Sequence, residues 1–405
     1  MNRTYLVEAV LGVTVGLLLT VVLSFLGKRD TSPLRQRRAI VSGLIYAVIV
    51  VPLVVRSGMT LVGLALTAAL LCLPFAGALL AGRLNLPAPS GWFALLVPLG
   101  LAGVVVIASG QTLAVMGLLD PRMVVIAVAA LAVLVTVGGG LIGVLKVTSW
   151  AVWLMIVPVI LAVVLGFAIS SPGAAVSATV GVPGPGAGQW LSMAVVLLVL
   201  GAVDPILRAS LADHPVRALA GLLAVVLLGG GGLLMFYAGS IISPSLQFST
   251  LVANLDIVPG PMLLLLTVFT VLFVGALASV LQSAGEQVDI AKPPLVAVAL
   301  VVGAVILAML GAGLEHLAVV AGLLAAGQTG AGVAGAGRVG RSERASWVVL
   351  AAAALATVVL AVTSQLAFGW AAVAAVVILA AIGWAAGRVD RREPVPARDA
   401  VDAIG

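Results

Sequence analysis

The chain has very few charged residues. Asp, Glu, Lys and Arg make up 8% of its 405 residues, whereas 63% are hydrophobic. A soluble domain of this length cannot expose that much apolar surface to water, so the composition predicts a membrane protein. Most of the apolar stretches are about 20 residues long, the length that a helix needs to cross a bilayer core of about 30 Å.

Cysteine is almost absent as well. Cys72 is the single cysteine and lies inside an apolar stretch, which excludes disulfides and thiolate metal clusters. The chain also lacks an HExxH sequence, a GxxxxGK phosphate loop and a Ser–His arrangement. The sequence therefore predicts that the protein is not an enzyme and carries no cofactor, apart from a sodium ion as a possible coupling ion.

Thirteen apolar stretches follow one another along the chain and predict an all-α polytopic membrane protein. We place them near 5–26, 39–55, 59–82, 92–118, 122–145, 148–169, 190–207, 216–242, 261–284, 294–312, 316–332, 346–363 and 366–387. The last 18 residues, 388–405, are polar and are expected to form a cytoplasmic tail.

The basic residues fall almost entirely in every second gap between these stretches. Of the 20 Lys and Arg residues, all but Arg3, Arg56 and Arg122 lie in those gaps or in the C-terminal tail. Because cationic loops are retained on the cytoplasmic side, the N-terminus is expected outside and the C-terminus inside, in the plasma membrane. The formal charge of +6 thus follows from topology and does not indicate nucleic acid.

Two of the predicted spans contain helix-breaking residues. Ala39–Val55 contains Pro52, and Trp190–Leu207 contains Asp204 and Pro205. Proline removes an intrahelical hydrogen bond, so both helices are expected to be interrupted. Counted from the second span, they are the first and sixth of ten helices. This arrangement is typical of transporters built from two inverted five-helix repeats, whose broken helices line a central site.

Three segments carry a resemblance to a known family. They are GGGLIGVLKVTSWAVW at 138–153, in which Thr148 or Ser149 is expected to cap a helix, DPILRASLADHPVRA at 204–218, and Phe273–Lys292. In this order they resemble an inner loop, the stretch after core helix six, and core helix eight of the sodium/solute symporter family. The resemblance is strongest to the cation/acetate symporter branch, from which this chain diverges.

The resemblance implies a domain organisation. It places a peripheral N-terminal helix and a basic inner loop at 1–38, a ten-helix transporter core at 39–332, two peripheral helices at 333–387, and the tail at 388–405. Within the core, the two repeats are expected at 39–169 and 190–332.

The resemblance also implies a cation site between core helices one and eight. In the family a sodium ion is held there by carbonyl and hydroxyl oxygens, the ligands that a hard cation favours. Ala276 and Ser279 match the carbonyl and hydroxyl positions in core helix eight, and carbonyls freed by Pro52 would complete the sodium site. The first core helix departs from the acetate symporters, because Ser42 and Tyr46 are almost its only side-chain oxygens.

A solute is expected beside the cation, where the first and sixth core helices are broken. Candidate solute-binding residues are Gly201 at the break of the sixth helix, Ser109 and Gln111 in core helix three, and Gln328 in core helix ten. The alternative for Ser109 and Gln111 is a hydrogen bond between helices, since buried polar groups in hydrocarbon require a partner or a function.

Asp204 and Arg208 lie one helical turn apart at the predicted inner boundary. They are expected either to form a structural ion pair or to act as a gate whose salt bridge breaks when the protein opens inward.

These observations predict a symporter that moves a small monocarboxylate, similar to acetate, driven by sodium or protons. The alternative is a divergent relative without transport, acting as a membrane sensor or accessory subunit. Oxygen ligands converging between helices 39–55 and 261–284 would favour transport, and a packed apolar seam would favour the alternative. Besides membrane lipid and the solute, a small membrane partner or a second copy of the chain is a possible partner.

Overall fold

A computed structural model describes most of the predicted spans. The described residues are 3–25, 38, 40, 43, 45–47, 49–50, 61–87, 92–117, 120–154, 156, 185–213, 221, 223, 226, 261–286, 293–334 and 343–390. The helices are α1 (Arg3–Phe25), α2 (Leu61–Arg83), α3 (Leu96–Gly117, preceded by a 3-10 turn at Trp92–Leu95), α4 (Pro121–Leu154), α5 (Ala187–Val203), α6 (Pro205–Asp213), α7 (Pro261–Glu286), α8 (Pro293–Met309), α9 (Leu314–Ala334), α10 (Glu343–Val362) and α11 (Trp370–Asp390). The described residues between 38 and 50 are also helical, and we call them the first core helix.

The prediction of an all-α polytopic membrane protein is confirmed. Within the described residues, 7 helices are long and apolar enough to cross a membrane, and 8 if α5 and α6 form one bent span. Apolar portions of α1 and α8 are shorter. The count of thirteen stays a prediction, because most of 216–242 and the part of 148–169 beyond residue 156 lie outside the described residues.

The break in the sixth core helix is confirmed. The chain bends by 70° between α5 and α6. Asp204 sits at the bend in an extended conformation, with φ −70° and ψ 110°. The local sequence explains this, since a residue before proline avoids the helical region and proline suits the first position of the next helix. The corresponding break predicted at Pro52 lies outside the described residues.

A second interruption lies earlier than the sequence suggested. We expected a loop near Lys146, with Thr148 or Ser149 capping the next helix. Instead, Gly140 provides the only non-helical backbone inside α4, with φ 55° and ψ −159°, a conformation that glycine adopts without steric cost. The Thr148 hydroxyl donates to the Leu145 carbonyl at 3.0 Å, within the continuing helix. The cap prediction was therefore wrong.

The helices pack in two groups. In the first group, α3, α4, α7 and α8 each contact the other three. In the second group, α2 packs against α5 and α6. Outside these groups, α1 packs against α4 and α7, α9 packs against α3 of the first group and α5 of the second, and α10 and α11 pack against α9. The predicted limits of the two repeats stay a prediction.

The contact between α2 and α5 is close because glycines lie at the crossing. A Cβ atom added to Gly77 would lie 2.0 Å from the Leu198 carbonyl oxygen, and one added to Gly201 would lie 1.9 Å from the Pro74 carbonyl oxygen. Small residues allow membrane helices to approach to this separation. The crossing fixes α5, and with it the bend at Asp204, against α2.

Candidate functional site

A cavity lies where the first core helix, α3, the bend between α5 and α6, α7 and α9 meet. Its wall is mostly apolar, with three polar side chains: Asp204 at the bend, Ser283 in α7 and Gln328 in α9. A mostly apolar wall with a few polar groups is typical of small-molecule sites. The cavity volume is about 30 Å³, and a space of that size holds about two water molecules.

The Asp204 carboxylate connects the start of α6 to the first core helix. One oxygen, Oδ1, accepts hydrogen bonds from the backbone N–H groups of Ile206 at 2.9 Å and Leu207 at 3.2 Å. These bonds satisfy free N–H groups at the start of α6, where the helix dipole also favours a negative charge. The other oxygen, Oδ2, accepts a hydrogen bond from the Tyr46 hydroxyl at 2.8 Å. Both side chains are buried.

Arg208 has a different partner. Its guanidinium donates through Nη2 to the Leu86 carbonyl oxygen, at the C-terminal end of α2. The contacts of Asp204 and Arg208 thus tie α6 to two other segments of the chain, the first core helix and the end of α2. A gating role for the two residues stays a prediction.

Gln328 lines the cavity and carries a buried acceptor. Its amide nitrogen donates to the Phe93 carbonyl oxygen at 3.0 Å, and this bond orients the amide, because a carbonyl requires a donor. Its amide oxygen, Oε1, is buried and has no hydrogen-bond partner. Leaving such a group unsatisfied costs about 1–3 kcal/mol, so a donor on a bound molecule would stabilise this arrangement.

The other predicted solute-binding residues lie elsewhere. The Ser109 hydroxyl is buried and donates to the Val106 carbonyl of its own helix at 2.8 Å. Gln111 is exposed, and Gly201 faces Pro74 across the crossing of α2 and α5. The cavity wall is formed by other residues, and solute binding by these three residues stays a prediction.

The predicted sodium ligands are buried in α7, but a guanidinium contacts one of them. Ala276 and Ser279 lie one turn apart in the core. The Ser279 hydroxyl oxygen accepts a hydrogen bond from Arg38 Nε at 3.2 Å, and the Ser279 carbonyl oxygen accepts one from Arg38 Nη2, also at 3.2 Å. Pro52 lies outside the described residues.

Glu286 completes the surroundings of Arg38. Arg38 Nη1 forms an ion pair with Glu286 Oε1 at 3.4 Å. The same carboxylate oxygen accepts a hydrogen bond from Gln282 Nε2 at 3.1 Å. Sequence reasoning had assigned Arg38 to the basic inner loop and missed this contact, because nothing in the local pattern separates Arg38 from Arg35 and Arg37.

Comparison with solved structures identifies the class of fold. The chain has an all-α fold that is similar to that of a solved transporter. It is similar to a Na+-coupled sialic acid symporter in a substrate-bound, outward-open state, with a TM-score of 0.61 and 13% identity. The similarity covers 98% of this chain and 99% of that one. A second similar structure is Mhp1, a nucleobase-cation-symport-1 family transporter in a closed conformation with bromovinylhydantoin bound, with a TM-score of 0.47, 16% identity, and coverage of 94% of this chain and 86% of that one.

No protein-family model matches the chain, and no curated protein matches it. At 13% identity the first structural similarity establishes the fold, and the function is argued from the site. Together, the fold and the apolar helices show an integral, multi-pass membrane protein.

Proposed function

We propose that the protein is a secondary-active transporter that moves a small organic solute across the membrane by alternating access. The observation that supports this most is the position of the cavity. It lies at the bend between α5 and α6, and Asp204 at that bend is bonded to the first core helix. In transporters with inverted repeats, broken helices at the centre of the membrane form the solute site.

The helix packing supports a movement between two groups. The group of α3, α4, α7 and α8 forms one packed unit, and α2 with α5 and α6 forms another. The cavity has walls from both groups. A rotation of one group against the other would open the cavity to one side and close it to the other. The gradient of a cation, sodium or protons, would supply the free energy.

For the solute, the family resemblance suggests a small monocarboxylate such as acetate. The cavity itself favours a second candidate, a neutral or cationic solute that donates hydrogen bonds. The start of α6, which would attract a carboxylate, is already capped by Asp204. The amide oxygen of Gln328 is a further acceptor. Two acceptors, one of them a carboxylate, repel an anion and attract N–H or O–H donors.

The rival proposal is a sensor or accessory subunit that has lost transport. The distinguishing feature was the contact between the first core helix and α7. That contact is polar, but its oxygens meet Arg38. The polar groups of the cavity favour transport over the rival. We further propose a location in the plasma membrane with the N-terminus outside, alone or as a homo-oligomer.

Uptake into proteoliposomes tests the proposal. The purified protein would be given labelled acetate as the anionic probe and labelled choline as the cationic, hydroxyl-bearing probe, under an imposed sodium gradient and then a proton gradient. We expect saturable uptake that follows one gradient, collapses with an ionophore, and is lost in Asp204→Asn. Thr14→Val, a change on the exposed side of α1, is the control and should transport normally.

Two results would contradict the proposal in different ways. Uptake equal to that of protein-free liposomes with both probes, from protein that still unfolds cooperatively, would argue against transport of either class. If a probe then raised the unfolding temperature without being taken up, the sensor proposal would replace the transporter proposal.

A further inference from the structure

We propose that the guanidinium of Arg38 is a built-in cation that takes the place of sodium at Ser279. Only the interpretation of this position as a site of ion coupling rests on the proposed function. The contacts on which the inference depends are independent of that function.

Arg38 binds the hydroxyl that the sequence analysis assigned to sodium. Nε donates to the hydroxyl oxygen of Ser279, and Nη2 donates to the carbonyl oxygen of the same residue, both at 3.2 Å. The hydroxyl is the one predicted to bind sodium, whereas the carbonyl predicted to bind sodium is that of Ala276, three residues earlier in α7; the Ser279 carbonyl is an additional acceptor for the guanidinium. The planar guanidinium binds both oxygens of one residue at once, a geometry that lysine cannot reproduce.

The acceptor capacity of the Ser279 carbonyl is used up. A carbonyl oxygen has two lone pairs. In an α-helix one of them accepts the N–H of the residue four positions later, here Ser283, which is still within α7. The second accepts the N–H of Arg38. A sodium ion at this oxygen would have to displace the guanidinium.

Charge gives a second reason. The guanidinium stays protonated under all physiological conditions, and its side chain is 8% exposed. A sodium ion sharing the Ser279 oxygens would lie a few ångströms from this fixed positive charge, in surroundings of low dielectric constant, where like charges repel strongly. The nearby Glu286 carboxylate is already paired with Arg38 at 3.4 Å, so it does not offset a second cation.

The consequence is that the protein does not bind sodium at Ser279. The free energy that sodium binding would supply there, by joining the first core helix to α7, comes instead from a cation that is part of the chain. Coupling in this protein then relies on another ion or another position. Transport that depended on sodium through Ser279 is excluded by this assignment.

Thermal unfolding of the purified full chain tests the assignment without knowledge of the solute. In Arg38→Ala, we expect the unfolding temperature to fall by about 5 °C, as follows from loss of a buried cation with several partners. Guanidinium chloride at low-millimolar concentration, far below denaturing levels, should raise the unfolding temperature of this variant by about 2 °C through binding to the vacated site. Arg83→Ala, which removes an exposed arginine at the end of α2, should show neither effect.

Two further measurements test sodium directly. One is the binding of radioactive sodium, and the other compares the unfolding temperature in sodium chloride with that in choline chloride at equal ionic strength. Although Ser279→Ala is expected to be less stable, we expect its sodium binding, and the change in its unfolding temperature between the two salts, to equal those of the wild type. Saturable sodium binding by the wild type that Ser279→Ala removes would overturn the assignment. So would an Arg38→Ala variant that is as stable as the wild type and unaffected by guanidinium.

If Arg38→Ala does not fold, Arg38→Lys keeps a cation but loses the planar fork. It should unfold at a lower temperature than the wild type and remain indifferent to sodium. Stability and sodium binding do not require transport. A failed uptake experiment with successful guanidinium rescue would therefore overturn the proposed function and leave the Arg38 assignment standing. Successful uptake without guanidinium rescue would overturn the Arg38 assignment and leave the proposed function standing.

Discussion

Two polar junctions involve the described residues of the first core helix, and they differ in strength and in what they join. At the first junction, the Tyr46 hydroxyl donates to the buried carboxylate of Asp204 at 2.8 Å. At the second, Arg38 contacts Ser279 at 3.2 Å and Glu286 at 3.4 Å. The two residues of the helix are eight positions apart, about 12 Å along an α-helix.

Burial distinguishes the two junctions. Tyr46 and Asp204 are both buried, so their hydrogen bond to a charged group is sheltered from water. At the second junction the contacts between Arg38 and Ser279 are buried as well, but the Glu286 side chain is 47% exposed, so water screens its ion pair with Arg38. The first junction joins the helix to the bend of α5 and α6, while the second joins it to α7 in the other helix group. We expect the first to persist during transport and the second to break and re-form.

The largest effect is expected at the first junction, in Asp204→Ala. This change removes the cap of α6 and the acceptor of the buried Tyr46 hydroxyl, and should lower the free energy of unfolding by about 3 kcal/mol. Asp204→Asn keeps an oxygen for the cap and should lose about 1 kcal/mol. Denaturant titration in detergent measures both. Equal losses would mean that the charge, rather than the cap, dominates.

Tyr46→Phe tests the same junction from the other helix. It removes one donor to Asp204 without creating a large cavity, so we expect a loss of about 1–2 kcal/mol. Combined with Asp204→Asn in a double-mutant cycle, the coupling energy should be about 1 kcal/mol. Additive losses would show that the 2.8 Å contact contributes nothing to stability.

Ser279→Ala weakens the second junction by one hydrogen bond. The carbonyl contact with Arg38 and the ion pair with Glu286 remain, so the unfolding free energy should fall by about 1 kcal/mol. The control is Ser192→Ala, which removes a hydroxyl bonded only to the Gln189 carbonyl of its own helix and should cost less. If Ser192→Ala lost as much unfolding free energy as Ser279→Ala, the hydrogen bond between helices would contribute no more than one within a helix.

The smallest effect is expected for Glu286→Gln, because the carboxylate is half exposed and the amide still offers an oxygen. We expect a loss of about 0.5 kcal/mol, shrinking further at high choline chloride concentration as salt screens the wild-type pair. Unfolding at low and high salt measures it. A loss above about 2 kcal/mol would show that the pair behaves as a fully buried one and would remove the contrast between the junctions.

The helical fold and the bend in the sixth core helix could be predicted because they follow from local chemistry. Asp204 and Pro205 disfavour a continuous helix in any surroundings. The break in α4 could not be placed in the same way. Gly138, Gly139 and Gly140 are equivalent in sequence, and the structure gives the positive φ to Gly140. Thr148 and Ser149 look like a helix start, yet the helix passes through them.

The site could be predicted only in part. Asp204 and Gln328 were identified from their polarity within apolar spans, and Ser279 from the family resemblance, but their partners were not identified. A one-turn spacing suggested Arg208 as the partner of Asp204, whereas the hydrogen bond comes from Tyr46, 158 residues earlier. Arg38 could not be distinguished from its basic neighbours. Sequence spacing reports neighbours along one helix, and these contacts join different helices.

The amino-acid sequence by itself determined the membrane class and the bend at Asp204 and Pro205, because hydropathy and backbone chemistry act locally. Only the tertiary structure decided which groups meet. Ser279 is suited equally to a sodium ion, a guanidinium or a hydrogen bond within its own helix. The packing of the first core helix against α7 places Arg38 there. The backbone of a helix sets the direction of each side chain, but which group the side chain contacts depends on the helix that packs against it.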